Sequence, residues 1–371
     1  MRAPIATRSA TFILIVGLLA GAPSAAVLPW TGAGTFQQAP KALSGDWTAD
    51  TRQSWTGDDG QPRVQFNLRT EAGDSRWGFG IRAGDLQGLP AAALSGAASD
   101  VRFTWTREAG TFRFSGSFDN GRGAGRYTFE PSAAFLSTMS GLGYRSLTSD
   151  DALRLAVIDV TSAYVRDLGQ AGYRDLPLEQ LTRMRIHKVM PEYIGEMKSL
   201  GYASLSADDL VRMRIHRVEP EYIREMKSLG YSPLDAEDLV RMRIHRVEPD
   251  FVRGLRTRGY SGLTAEDLVK LRIHKVSLED IDQYKALGLG GLGTEELVRF
   301  RIHRVTPAFV REMRDVGFAS LTEEQLVRMR IHKVDAQFIK DARADGYAMT
   351  TPSDAVDLAI RGPRYTRARK Q

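Results

Sequence analysis

The chain has 371 residues, with 51 Lys and Arg against 45 Asp and Glu, and it contains no Cys. The absence of Cys excludes disulfides, thiol catalysis, Cys-ligated metals and a lipid-anchored Cys. Its length and its 42% hydrophobic content allow more than one domain, each with an adequate core.

Residues 1–26 have the pattern of a secretory signal peptide. Arg2 and Arg8 precede a short apolar run, and small residues before position 27 suit cleavage after Ala26. An uncleaved anchor is the alternative, but the run is shorter than the ~20 apolar residues that span a bilayer comfortably. The pattern predicts an exported protein, periplasmic or extracellular in a bacterium, with no transmembrane segment after cleavage. Residues 27–44, rich in Gly, Pro and small residues, are predicted to be a linker.

Between residues 45 and 131 the hydrophobic period changes to two, which is typical of strands with one buried face. Asn120-Gly121 marks a tight hairpin turn. These features predict about six short antiparallel strands in a small sandwich or barrel. The aromatic residues fit a core better than the alternative, a platform for stacking sugars. The alternating residues are Val64, Phe66, Leu68, Trp77, Phe79, Ile81, Val101, Phe103, Trp105, Phe112, Phe114, Tyr127 and Phe129, with a further strand near Trp47.

Residues 132–361 are built on a 29-residue repeat. Glycines recur on this period, and so do all six His residues of the chain. Self-similarity on a fixed period is the signature of stacked repeat architectures. The glycines are Gly143, Gly172, Gly201, Gly230, Gly259, Gly288, Gly317 and Gly346, and the histidines are His187, His216, His245, His274, His303 and His332.

Each repeat, numbered from its Gly as position 1, encodes two short helices. Helix A follows an N-cap residue at position 6, such as Ser206, and Asp209 three residues later completes a capping box. Helix B starts at the Pro of position 20 and ends at the next Gly, such as Gly230, which is expected in a left-handed conformation. In this repeat we expect helices near residues 207–217 and 220–229. Neither is long enough to be stable alone, so each must pack on its neighbours.

The predicted fold class is α+β with two domains, a small antiparallel β sandwich or barrel followed by an α-helical hairpin solenoid. The repeat at 143–171 is degenerate, with Ile158 in place of His, and the last repeat is cut short. Atypical ends are expected, because terminal repeats cap a stack. Residues 362–371 are a basic tail.

The RIH[KR]V motif resembles the LRIHGV-type tandem repeats of uncharacterised bacterial exported proteins, and the resemblance covers roughly residues 135–361. Similar repeats accompany some membrane metallopeptidases of the β-lactam-sensor type. This chain has no HExxH motif, so the resemblance implies no peptidase activity. It implies an exported helical-repeat protein, and the metallopeptidase link suggests a periplasmic sensory or regulatory role.

An Arg recurs at position 14, between the apolar positions 10 and 11 on a helical wheel. Because a buried guanidinium needs partners, we expect it to bond an exposed turn carbonyl and to pair with an acid. That acid would be at position 9 or on helix B, at Glu196, Glu225 or Glu312. The alternative is a ladder of guanidinium groups for an anionic ligand. The residues are Arg185, Arg214, Arg243, Arg272, Arg301 and Arg330.

The six His residues stand near the end of helix A, at position 16. Stacked helices lie ~8–10 Å apart, too far for neighbouring imidazoles to share a zinc ion at ~2 Å bond lengths. We therefore expect these residues to cap helix ends or pack against backbone, and we predict no metal site.

Positions 12 and 17 are basic in nearly every full repeat, which would place a stripe of cations on the stacked hairpins. Acids at positions 8, 9 and 21 offset this charge and leave a net charge of +6. A face of interleaved, solvated charges is therefore the first interpretation, and an anion-binding groove is the second. The residues are Arg212, Arg217, Arg241, Arg246, Lys270, Lys275, Arg299 and Arg304.

Nothing in the sequence indicates catalysis, since equal repeats build an extended surface rather than one asymmetric cluster, and no GxSxG or Walker motif occurs. We predict a non-enzymatic exported binding scaffold without a cofactor, whose partner is a protein or an anionic envelope polymer. The alternatives are a module that binds anionic polysaccharide or membrane surfaces, and a periplasmic sensory or regulatory protein. The pI near 9.5 permits nucleic-acid binding, but export argues against it. The sequence indicates no particular oligomeric state.

Overall fold

The computed structural model describes residues 41–56, 60–71 and 76–362. The predicted signal peptide, most of the predicted linker and the tail beyond residue 362 lie outside the described residues. The chain divides into two compact parts, Met1–Ile186 and His187–Gln371. The first part holds a β-sheet together with the first four helices.

Six antiparallel strands form one sheet in the described part of the chain, as the two-residue period predicts. The strands are β1 (Leu43–Thr56), β2 (Pro62–Thr70), β3 (Arg76–Arg82), β4 (Ser99–Arg107), β5 (Gly110–Asp119) and β6 (Arg122–Pro131). Their order is β3-β2-β1-β6-β5-β4, so two three-stranded meanders are joined through β1 and β6. At the hairpin between β5 and β6, Asn120 has φ 46° and Gly121 has φ 81°, as the Asn-Gly turn requires.

The sheet is rolled around an aromatic core. Phe79 of β3 and Trp105 of β4 belong to opposite edge strands, yet their rings stack with centroids 5.3 Å apart. Trp47 of β1 likewise meets Phe103 of β4 edge-on at 5.5 Å. Of the two architectures expected, the described residues therefore form one rolled, barrel-like sheet rather than a sandwich of two sheets. Most of the aromatic side chains are core residues, as expected from their alternation.

Sixteen helices follow in the described residues, and all but the last have nine residues. Their bounds are α1 (Ala133–Gly141), α2 (Ser149–Val157), α3 (Ser162–Gln170), α4 (Leu178–Ile186), α5 (Pro191–Ser199), α6 (Ala207–Ile215), α7 (Pro220–Ser228), α8 (Ala236–Ile244), α9 (Pro249–Thr257), α10 (Ala265–Ile273), α11 (Leu278–Ala286), α12 (Thr294–Ile302), α13 (Pro307–Asp315), α14 (Glu323–Ile331), α15 (Ala336–Ala344) and α16 (Pro352–Arg361). None of them is long and apolar enough to cross a membrane.

Local signals place the ends of these helices. Ser206 and Asp209 form the predicted capping box of α6. The Gly at position 1 has a φ between 71° and 102° in all eight repeats, which confirms the left-handed helix stop. Helix A is shorter than predicted, because α6 ends at Ile215 and His216 is its C-cap.

Within the second compact part, the same hydrogen bonds join successive repeats. The Tyr193 hydroxyl donates to the Val218 carbonyl and the Tyr222 hydroxyl to the Val247 carbonyl, both at 2.9 Å. Each bond links helix B of one repeat to the turn after helix A of the next. A repeated sequence thus produces a repeated contact, which is what a stacked array requires.

The degenerate first repeat has a different neighbour. Its helix α2 packs against β5 and β6. Leu153 and Leu155 of α2 are at most 1% exposed. At position 17, Asp159 binds Arg185 at 2.8 Å and Arg107 of the sheet at 3.3 Å. The repeat therefore departs from the common pattern because it packs against the sheet.

Candidate binding surface

Helix A ends in a turn whose central residue is a cation. The Arg217 amide donates to the Arg214 carbonyl at 3.1 Å, and the Val218 amide donates to the Met213 carbonyl at 2.9 Å. This is the Schellman pattern, in which the residue after the C-cap is left-handed. Arg217 accordingly has φ 55°. The equivalent residues have φ between 54° and 56°, and they are Lys188, Arg246, Lys275, Arg304 and Lys333.

Helix B ends in the same turn, but with Gly at its centre. The Gly230 amide donates to Lys227 at 2.9 Å and the Tyr231 amide to Met226 at 3.0 Å. Gly adopts this conformation at no steric cost, whereas a residue with a Cβ loses roughly 1–2 kcal/mol. Six repeats therefore have Gly at one turn and a strained Arg or Lys at the other, and the degenerate first repeat has Asp159 there instead. Such strain concentrates at functional sites.

The cations at position 17 extend into solvent. Among the described residues, the side chains of five of them form neither a hydrogen bond nor an ion pair, and all five residues are exposed. We call this set the turn cations: Arg217, Arg246, Lys275, Arg304 and Lys333. Unpaired charges at regular spacing attract an anionic ligand without first breaking an internal salt bridge.

The cations at position 12 are engaged within the array. Arg212 pairs with Glu237 of the next repeat, and Lys270 pairs with Glu295 at 2.6 Å. The hydrogen bond to Glu295 raises the pKa of Lys270. Arg241 lies 3.9 Å from Asp238. The predicted stripe therefore divides into an internally paired line at position 12 and the unpaired turn cations. Arg299 and Arg328 are exceptions at position 12, with no ion pair among the described residues.

An isoleucine at position 15 is about half exposed in each repeat of the second compact part. The exposed fractions run from 46% to 54% for Ile215, Ile244, Ile273, Ile302, Ile331 and Ile360. Because the A helices α6, α8, α10, α12, α14 and α16 pack side by side in that order, these side chains form a line across them. We call it the isoleucine row. It lies two residues before the turn cations in every repeat that has both.

The arginine at position 14 lies inside the stack and contacts the preceding repeat. In Arg214, Arg272 and Arg301, Nε donates to the carbonyl of the preceding His at 3.3–3.4 Å. The guanidinium also lies over the ring at position 22, for example 4.8 Å from the ring centroid of Tyr222 for Arg243. A turn carbonyl and an aromatic face are thus its usual partners.

The acid that pairs with this arginine is not one of those expected. Arg214 binds Glu219 at 2.6 Å and Arg243 binds Glu248 at 2.7 Å, so in these two repeats the acid is at position 19 of the same repeat. Arg185 and Arg301 instead bind acids of the preceding repeat, Asp159 at 2.8 Å and Asp280 at 3.3 Å. The expected partner Glu225 instead binds Arg253 of the next repeat. Glu196 likewise binds Arg224, and no ion pair of Glu312 occurs within the described range.

The His residues at position 16 are the C-caps of the A helices. The His216 amide donates to the Arg212 carbonyl at 3.1 Å, and the side chain is half-buried. Within the described ranges, no group of three or more His, Asp or Glu residues is placed to hold a metal ion. Gly288–Gly293 matches GxGxxG by letter, but it joins helix α11 to helix α12 rather than a strand to a helix. The Rossmann context is therefore absent there.

Neither a protein-family model nor a curated protein matches this chain. The site must therefore be interpreted from its own geometry. Sequence reasoning missed the conformation of the turn cations and the exposure of the isoleucine row. One signal was available, because RIH[KR]V has a cation where LRIHGV-type repeats have Gly.

Proposed function

We propose that this chain is a non-enzymatic exported binding scaffold whose helical array binds an extended acidic polypeptide. The observation that supports this most is the pairing of five unpaired, left-handed turn cations with a parallel row of exposed isoleucines. The cations supply charge complementarity to carboxylates, and the isoleucines supply apolar contacts. A ligand that uses both features carries negative charge and apolar side chains along one line.

A linear ligand fits the row better than a planar or purely polar one. The isoleucines lie in single file and are only half exposed, so they would bury little area in a membrane. An acidic polysaccharide would leave them unused. Packed helices lie ~8–10 Å apart, and three residues of a polyproline II chain, which complete one turn and return to the same face, span about 9 Å. A polypeptide with an apolar residue at every third position would therefore keep register with the row.

The test measures binding to three probes by the chain without residues 1–26. They are a synthetic acidic peptide with isoleucine at every third position, vesicles containing phosphatidylglycerol, and a polygalacturonate polymer. One variant changes Arg217, Arg246 and Lys275 to Gly, which removes charge and relieves strain together. A second changes Ile244 and Ile273 to Ser. Each isoleucine is expected to contribute about 1 kcal/mol, roughly fivefold in Kd.

We expect saturable peptide binding that weakens steeply with salt, since exposed charges are screened within ~8 Å at physiological ionic strength. Both variants should weaken it, while a peptide of scrambled order should bind less tightly. The proposal is wrong if the peptide does not bind at low salt, or if vesicles or polygalacturonate bind and the peptide does not.

A further inference from the structure

One position-14 arginine differs from the other five. Arg185, Arg214, Arg243, Arg272 and Arg301 each donate at least one hydrogen bond to a carbonyl or carboxylate. Among the described residues, the Arg330 side chain donates none, and its Nε is buried without a partner. Its guanidinium carbon lies 4.9 Å from the centroid of the Phe309 ring. A buried N–H group without an acceptor is costly, so an acceptor from outside the chain would be stabilised there.

Arg330 lines an open cavity of about 500 Å³ between two repeats. The same cavity is also lined by Arg301, Arg304 and Thr306. Arg304 is a turn cation, and its side chain has no hydrogen-bond or ion-pair partner in the described part of the chain. Arg301 is partly satisfied, since its Nε donates to the His274 carbonyl and its Nη1 to Asp280, both at 3.3 Å. Three guanidinium groups therefore surround one space.

Two carboxylates reduce the charge of this cavity. Asp280 contacts Arg301 at 3.3 Å, and the exposed Glu312 lies on the wall. Three arginines against these two acids leave one net positive charge. That balance suits a single small oxyanion rather than a polyanion.

Two repeats earlier in the array show what this cavity lacks. Position 19 is Glu219 in one repeat and Glu248 in the next, and each glutamate binds the position-14 arginine of its own repeat. Here position 19 is Thr306, which offers a hydroxyl in place of a carboxylate. In the two repeats with glutamate, a carboxylate of the same repeat binds the position-14 arginine. The repeat with Thr306 has no carboxylate at this position.

We propose that Arg301, Arg304, Thr306 and Arg330 bind one tetrahedral oxyanion, a phosphate or sulfate group. Guanidinium groups donate paired hydrogen bonds to such oxygens, and the Thr306 hydroxyl adds a further donor. Phe309 packs against the Arg330 guanidinium, whose central carbon lies 4.9 Å from the ring centroid. The site does not depend on a polypeptide partner, and it uses Arg330 and Thr306, which belong to neither the turn cations nor the isoleucine row.

Isothermal titration of the chain without residues 1–26, with inorganic phosphate and then inorganic sulfate at constant chloride concentration, tests the site. We expect one site per chain. Thr306→Glu should weaken binding at least about tenfold, because it supplies the carboxylate that Glu219 and Glu248 provide at the same position of two other repeats. Arg330→Gln should weaken it similarly, and Thr306→Ser should preserve it. Melting curves should show both position-306 variants folded, since the array already holds Glu at that position.

A matched gain of function completes the test. Glu248→Thr removes the carboxylate that binds Arg243. The positions equivalent to Arg304 and Arg330 are there Arg246 and, in the following repeat, Arg272, and position 25 is Gly254 rather than Glu. Stoichiometry should rise from one to two. No saturable binding of either anion, equal binding by Thr306→Glu, or an unchanged stoichiometry in Glu248→Thr would overturn the assignment.

Glycerol 3-phosphate then identifies the source, because tighter binding than inorganic phosphate indicates a lipid headgroup or other ester, and weaker binding indicates the free ion.

Discussion

Arg217 and Gly230 occupy the same place in the two helix-ending turns of one repeat. Arg217 follows the C-cap of helix A with φ 55°, and Gly230 follows the C-cap of helix B with φ 77°. Both turns use the same pair of hydrogen bonds. Both turns therefore require a left-handed backbone conformation, and of the two residues only Gly230 adopts it without strain.

Substitutions at Arg217 and Gly230 should have opposite effects on the free energy of unfolding. Arg217→Gly should leave the free energy of unfolding unchanged or raise it by up to about 1 kcal/mol, because strain is relieved while the unfolded chain gains entropy. Gly230→Val should lower it by about 1 kcal/mol or more, since a β-branched residue is strained at positive φ. Urea unfolding measures both. A loss of stability in Arg217→Gly would show that its side chain supports the fold.

Position 14 should matter for stability and position 12 should not. Arg243→Ala removes the bonds to Glu248 and the contact with the Tyr222 ring, and it should cost about 1–3 kcal/mol. Arg212→Ala removes a surface pair with Glu237, in which both side chains are about half exposed, and it should change stability by less than about 0.5 kcal/mol. Thermal melts at low and high salt compare them. Equal losses would contradict the division between interior and surface arginines.

The fold was predictable because its signals are local. Position 1 glycines, capping residues such as Ser206 and Asp209, and helix-starting prolines each act within a few residues, and the alternation of Val64, Phe66 and Leu68 marks strands directly. The candidate site was not predictable in the same way. Ile215 follows Val211 by one helical turn, so its pattern resembles a buried residue, and its exposure depends on where the helix ends. The candidate anion site depends on how the repeats pack on one another, because that packing leaves Arg330 without a hydrogen-bond acceptor among the described residues.

Export can be checked directly on the native protein. The signal pattern predicts cleavage after Ala26, so mass spectrometry of the protein from its own host should find a mature chain that starts at Val27. The envelope or culture fraction should contain it. An intact Met1 in the cytoplasmic fraction would remove the exported location from the proposal and reopen nucleic-acid binding.

The Tyr222 hydroxyl should make stability depend on alkaline pH. Burial raises the pKa of Tyr222, opposed by the charge of Arg243 and reinforced by that of Glu248. The folded state therefore favours the neutral phenol, whose hydrogen bond to the Val247 carbonyl is 2.9 Å long. That contribution is complete below the ordinary tyrosine pKa near 10 and is lost as pH rises above it.

Tyr222→Phe tests this linkage, and the chain offers its own precedent, because position 22 is Phe251 and Phe309 in other repeats. At pH 8 the variant should be less stable by about 1 kcal/mol, the usual net value of one buried hydrogen bond. The difference should shrink above pH 10 and then reverse, because the exposed phenol of the unfolded wild type ionises and stabilises the unfolded state, whereas the variant has no phenol at this position. Urea unfolding at pH 8, 10 and 11 measures this difference, in which the titration of Lys and Arg residues cancels. A difference that stays constant across this range would contradict the role given to burial of the Tyr222 hydroxyl.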